Sequence, residues 1–276
     1  MKKKLKQVLF YSAVVILTLM VIGSLTAILG FILKNGLKHI NIEFLTEEPR
    51  RMGKEGGIFS IIIGTIYLTA LALLIATPVG VAAAIYFTEY SAGKKWADAI
   101  RFFTEILAGI PSIIFGLFGF AFFVIFLGLG WSLLSGGLTL AIMILPTLIR
   151  ATEESLKTVP MAYREGSLSL GASKLQTIIR VVIPSCLPGI LTGIILGVGR
   201  AIGETAAVML TAGSNLKLPT SLLDSTRTMS VHLYTLSSEG LSKEKTFATA
   251  ALLIIIVLII NTLATFITEK YIARSR

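Results

Sequence analysis

The feature that most constrains this chain is the length of its apolar runs. Hydrophobic residues come in unbroken blocks, the first from about Val8 to Leu33. A run of about 18 or more apolar residues matches the roughly 20 helical residues that cross the hydrocarbon core of a bilayer. Such a run must be helical, because hydrocarbon offers backbone N–H and C=O groups no partner. Composition agrees: 54% of residues are hydrophobic and 14% charged, against about 25% charged in soluble chains.

The expected fold is all-α, a polytopic membrane protein with six transmembrane helices in a single domain covering residues 1–276. The spans fall at about 8–33, 58–87, 106–127, 131–149, 185–212 and 247–267. The fourth apolar run, Leu138–Ile149, is short and is extended backward through Trp131–Gly137 to reach span length. Pro78, Pro111 and Pro146 lie inside spans, where each removes a helical hydrogen bond; membrane bundles tolerate such kinks when neighbours re-satisfy the backbone. Lys2, Lys3, Lys4 and Lys6 resemble the basic start of a signal peptide. The apolar block behind them exceeds the 7–15 residues of a signal core, and no A-x-A-like site closes it, so an uncleaved first helix is expected.

The net charge of +10 does not describe a nucleic-acid-binding face, because the basic residues gather at the ends of apolar blocks. They read as orientation signals. One side carries the four N-terminal lysines, Lys94, Lys95, Arg101, Arg150, Lys157, Arg164, Lys174, Arg180, Lys270, Arg274 and Arg276. The other carries Lys34, Lys38, Arg50, Arg51, Lys54, Lys217, Arg227, Lys243 and Lys245. The balance of fifteen to nine places the richer side, with both termini, in the cytoplasm. Cys186 is the single cysteine and reads as a small hydrophobe. His39 and His232 lie far apart, in separate polar loops, without metal-ligand spacing.

Within the fifth span stands Gly199-Arg200-Ala201-Ile202-Gly203-Glu204-Thr205. Arg200 and Glu204 are four apart, which on a continuous helix puts them on one face. An ionisable group at the centre of a span costs roughly 2.5–3.5 kcal/mol on insertion scales, so both must face protein or water. Small residues flank them: Gly197 and Gly203 beside Arg200, Ala201 and Ala207 beside Glu204. A second row, Gly189, Gly193 and Gly197, lets helices approach closely. Two accounts are open. The pair is either an intrahelical salt bridge that packs the bundle, or part of a substrate path. In a path, a planar guanidinium suits a tetrahedral oxyanion, and the carboxylate can accept a hydrogen bond from a protonated one.

Between the fourth and fifth spans lies a polar loop, about 150–184. Thr158 is placed to cap a short helix of about ten residues, with Pro160 in its first turn and Gly171 at its end. This segment resembles a signature of the membrane subunits of binding-protein-dependent ABC importers: Glu-Ala-Ala, three residues, Gly, nine residues, Ile-x-Leu-Pro. Here Glu165-Gly166-Ser167, Gly171 and Val181-Val182-Ile183-Pro184 stand at matching spacing, with Gly166 and Ser167 replacing the alanines. The stretch Arg200–Ala206 is similar to a signature of the phosphate-importer permeases. Gly64-Thr65-Ile66-Tyr67-Leu68, Ala108–Ser112, Phe115–Gly119 and Leu145-Pro146 resemble their PstA type more than their PstC type.

The resemblance implies a type I ABC importer permease fold. It implies a coupling helix in which Tyr163, Glu165, Leu168, Gly171 and Ala172 meet an ATPase, and a translocation role for Arg200, Glu204 and Thr205. The implied partners are a PstC-type permease subunit, an ATPase subunit dimer and an extracytoplasmic phosphate-binding protein, in the lipid bilayer of a bacterial plasma membrane. No cofactor is expected on this chain. It has no G-x-x-x-x-G-K-[ST] motif, so ATP and Mg belong to the partner ATPase, and the chain is expected to be a transport subunit and no enzyme. Other readings are a permease for sulfate, molybdate or tungstate, against which the Arg200–Glu204 signature argues because a glutamate suits a protonated oxyanion, the PstC-type partner itself, or a freestanding ion-coupled carrier. An intramembrane enzyme lacks its tools, since no aspartate or histidine lies within a span.

Overall fold

The computed structural model describes residues 2–91 and 93–275 and is helical almost throughout; Arg276, counted above among the orientation charges, lies outside the described residues. In chain order the helices are α1 (Lys2–Gly36), α2 (Ile42–Thr46), α3 (Phe59–Ile85), α4 (Lys95–Gly109), α5 (Ser112–Gly119), α6 (Leu133–Thr158), α7 (Met161–Ser169), α8 (Lys174–Thr177), α9 (Ile183–Gly203), α10 (Ala206–Thr211), α11 (Met229–Ser238) and α12 (Lys243–Ser275). Wider π turns extend α3 through Tyr90 and α5 through Phe126, and join α8 to α9. A two-stranded antiparallel ribbon pairs Pro49 with Gly56 and Arg50 with Glu55. Five helices are long and apolar enough to cross a membrane, and the bent pair Lys95–Gly109 and Ser112–Phe126 makes six if counted as one span.

The centre is α3, α6 and α9, with α3 against α6 the most extensive interface. Small residues set the approach distance, since without a hydrophobic drive between helices close backbone packing must hold them. Ala72 and Ala76 of α3 are fully buried against Leu140, Met143, Ile144 and Leu148 of α6. A Cβ at Gly193 would stand 2.8 Å from that of Ala151, and Gly189 is closed off by Ser155. The glycine row of the fifth span is therefore a packing seam on α6, with no room for a ligand. Among its described side chains α1 adds none to the core clusters; it leans on α12 through the buried Gly36 and through Phe31 and Phe247, whose ring centroids are 5.6 Å apart.

Three segments depart from the expected spans. The stretch 106–127 is not one helix: α4 and α5 meet at 101°. Ile110 is extended, as a residue before proline is driven to be, and Pro111 opens α5. The fourth span does not stop at Ile149 but runs to Thr158. Thr158 ends α6, its hydroxyl donating to the Ser155 carbonyl, and does not cap the next helix, whose N-cap position is Pro160. The fifth span does not reach Ala212 as one helix; it breaks after Gly203.

The segment after α10 folds back as a plug. Carbonyls of Leu222 and Asp224 accept the first N–H groups of α6, from Leu134 and Leu133, and Ser132 caps the same end. Asp224, outside the spans, accepts N–H bonds from Thr220 and Ser221, which hold its carboxyl below the usual range. His232 does not lie in a polar loop. It is fully buried on α11. Burial, then the charges of Arg227 and Lys245, push its pKa down to about 3.

Two outcomes follow from this packing. A Cβ at Gly119 would sit 2.8 Å from Thr211 Cγ2 and closer still to Thr139 Oγ1, whereas one at Gly30 meets nothing within 4 Å. Gly119→Ala should lower the thermal unfolding midpoint in detergent, by an overpacking cost of about 1–3 kcal/mol, and Gly30→Ala should not. For His232, the unfolded segment, with a pKa of about 6.5, binds a proton that the folded one refuses. The stability it contributes is full above pH ~6.5 and declines as pH falls toward the folded value. Limited proteolysis within Met229–Ser238 should quicken between pH 7.5 and 5, and His232→Gln should flatten that dependence.

Candidate functional site

The break in the fifth span rearranges the pair singled out from the sequence. α9 ends at Gly203; Glu204 is extended (ψ 130°), and Thr205 precedes α10. Arg200 and Glu204 consequently do not share a helix face, and no ion pair joins them among the described residues. Glu204 Oε1 instead accepts the N–H of Ala207 at 3.2 Å, capping α10. The Thr205 hydroxyl reaches only the Gly203 carbonyl, at 3.5 Å. The break is held from outside the span. The Ile202 carbonyl, which a continuous helix would give to Ala206, accepts the hydroxyl of Ser230 on α11. On its other side α10 is seated against α5, where a Cβ at Gly116 would stand 2.8 Å from Ala207 Cα.

Arg200 is half-buried on α9 and makes no hydrogen bond or ion pair among the described residues. It lines a groove of about 490 Å³ between α9 and α12. Of its flanking glycines, Gly203 has open space where a Cβ would be, while Gly197 faces Leu73 and Ile144.

At the other end of the bundle α7 stands clear of the core, with no buried residue. Tyr163, Glu165, Leu168 and Gly171 are exposed and Ala172 half-buried. Met161 and Leu170 are exposed as well, Leu170 to 91%. An exposed apolar surface of this kind, on a helix outside the spans, has the character of an interaction surface. The helix ends as its glycine requires: Gly171 takes φ +87°, its N–H bonds to the Leu168 carbonyl, and the Ala172 N–H bonds to that of Ser167.

What fixes α7 was missed in the sequence. Arg164 donates to Glu89 Oε1 from Nη2 (2.8 Å) and Nε (3.1 Å), and to the carbonyls of Val159 and Leu156 that end α6. The two side chains are 13% and 10% exposed. Lys174 donates to the Glu89 carbonyl and lies 4.5 Å over the Tyr90 ring. One level in, Arg101 links Glu153 on α6 to the Phe87 carbonyl on α3. Arg164 had been counted only for its sign, although its place inside the signature helix was a hint. Glu89, 75 residues away, carried no local signal. Glu89→Ala should strand the guanidinium and speed hydrogen exchange across Met161–Ser169. Arg164→Ala should do the same and also free the Val159 and Leu156 carbonyls, and the double variant should be no worse than Arg164→Ala alone, because the contact with Glu89 is already lost in it.

Comparison with known proteins agrees with this architecture. Residues 76–276 match the family model described as the inner membrane component of binding-protein-dependent transport systems. A probable ABC transporter permease protein of Bacillus subtilis, YqgI, is 30% identical over 253 residues, 86% of each chain. The phosphate transport system permease protein PstA of Haemophilus influenzae is 32% identical over 238 residues, 85% of this chain and 83% of that one. A chain of the bacterial alginate ABC transporter, crystallised with its alginate-bound periplasmic protein, shares the fold with a TM-score of 0.68 over 95% of this chain and 94% of that one, at 16% identity. A membrane-embedded bundle with a projecting α7, matched over most of its length by these permeases, is the inner membrane component of a binding-protein-dependent transport system, and the chain belongs to that family.

Proposed function

We propose that this chain is a membrane-spanning permease subunit of an ATP-driven importer of inorganic phosphate. The observation that carries the reading is Arg200, unpaired among the described residues, inside the bilayer region of a chain that aligns over 85% of its length with a phosphate permease. A guanidinium within hydrocarbon is tolerated where it faces protein, water or an anion, and its planar fork suits an oxyanion. The separation of Glu204 from Arg200 changes one part of the case. The sequence argument against sulfate rested on the two acting as a pair, and it falls with that pair. The phosphate assignment stands on the relatives and on Arg200.

In this reading Arg200 handles the substrate, while Glu204 and Thr205 hold the break that positions it. α7 docks on an ATPase dimer through Met161, Tyr163, Glu165, Leu168, Leu170 and the Gly171–Ala172 turn, and ATP and Mg are bound there. Closure of the ATPases pulls α7, and the Arg164–Glu89 tie passes the pull to α3. A PstC-type permease completes the path, and an extracytoplasmic phosphate-binding protein delivers to its outer end. The charge asymmetry supports a location in a bacterial inner membrane with the α7 end and both described chain ends on the cytoplasmic side.

The test is radiolabelled phosphate uptake in cells lacking other phosphate systems, with purification of the complex to confirm assembly. Arg200→Lys should reduce uptake, because a point charge lacks the planar fork. Arg200→Leu should abolish it while the complex still assembles. Wild-type uptake in Arg200→Leu overturns the reading.

A further inference from the structure

One wall of the groove beside Arg200 comes from a helix that no motif points to. Along α12, Asn261, Thr265, Thr268 and Glu269 follow one another at helical spacing of four, three and one residues and all line it, facing Gly199 and Arg200 on α9. α12 is otherwise among the most apolar parts of the chain. Asn261 lies near its midpoint, where a side-chain amide gains nothing from lipid. Asn261, Thr265 and Glu269 are exposed in this chain, so the stripe needs an occupant. The floor is bare, since a Cβ at Gly199 would meet nothing within 4 Å.

We infer that this α9–α12 groove is the oxyanion-binding segment of the path, with Asn261 and Thr265 as the neutral ligands that complete the site begun by Arg200. The inference rests on the phosphate-import reading above and adds the residues that hold the anion. A guanidinium presents donors on one side of a tetrahedral oxyanion, and the oxygens turned away need donors of their own. The Asn261 amide has no protein partner among the described residues. The Thr265 hydroxyl donates to the Asn261 carbonyl of its own helix at 2.9 Å, and rotation about χ1 redirects that proton into the groove. Neutral donors bind an anion while leaving the net charge of the site near that of Arg200 alone, which lets the anion leave again. Glu269 sits at the far end, about 12 Å along α12 from Asn261 at 1.5 Å per residue. There its carboxylate accepts from an oxyanion that still carries a proton and repels one that does not.

The experiment uses the whole complex with Cys186 replaced by alanine. Single cysteines at Asn261, Thr265 and, as a control off the stripe, Leu263 are treated with a charged, membrane-impermeant thiol reagent, with and without inorganic phosphate. Asn261→Cys and Thr265→Cys should react and be protected by phosphate, and Leu263→Cys should not react. Absence of labelling at both stripe positions, or labelling indifferent to any oxyanion, overturns the inference and leaves the stripe packed against lipid or a neighbouring helix. Protection by sulfate in place of phosphate keeps the groove and overturns the phosphate reading. In parallel, Gly199→Val fills the floor from a Cβ position that meets nothing within 4 Å. The complex should assemble with uptake abolished, and Thr265→Val should lower uptake about tenfold, the loss of one hydrogen bond to a charged group. Normal uptake in Gly199→Val, in cells where Arg200→Leu still abolishes it, removes the groove from the path and leaves phosphate import standing.

Discussion

A bilayer supplies no hydrogen-bond partners, so every interruption of a spanning helix has to be satisfied from within the protein. The break after Gly203 shows how this is met. Leaving the helix frees the Ile202 carbonyl and the Ala207 N–H. Ser230 donates to the first, and Glu204 accepts from the second. The hydroxyl comes from α11, which is held in turn by the Met229 N–H on Thr65 of α3 at 2.9 Å. A loop between spans thus becomes part of the membrane-embedded site, and Arg200 keeps its position because a distant serine closes the end of its helix.

The two ends of the molecule are organised differently. Around the break, packing is close and mostly neutral, with Gly116, Gly119 and Gly136 letting α5, α6 and α10 meet. At the α7 end the contacts are ionic. A surface ion pair adds little, but Arg164 and Glu89 are largely shielded and share their hydrogen bonds with the terminal carbonyls of α6. Removing one partner leaves a charge without its counter-ion, the costly case. This makes α7 a rigid attachment to two core helices, as a part that transmits force must be, and it leaves the apolar side of α7 free for another chain.

Much of this was legible beforehand, and for a specific reason. Apolar length is a local property, so the crossings at α1, α3, α6, α9 and α12 could be placed from composition along the chain. Gly171 announced the end of α7, because a positive φ is cheap only for glycine. Pro111 was noticed but read as a tolerated kink. Its effect on the residue before it, which turns the chain through 101°, was the stronger one. Arg200 was found because a charge in an apolar block is conspicuous. Asn261 and Thr265 were passed over, because a lone polar residue in a long span is not.

The sequence by itself determined that the chain is a membrane-embedded helical bundle, roughly where five of its crossings lie, which helix projects from it and which cation lies within an apolar span. Each of these depends on neighbours within a few turns. Only the tertiary structure decided that Arg200 and Glu204 part company, that Arg200 faces α12, and that Glu89 grips α7. Those outcomes depend on groups far apart in the chain, Ser230 on Ile202 and Arg164 on Glu89. A hydrogen bond between distant groups leaves no periodicity in the sequence from which it could be read.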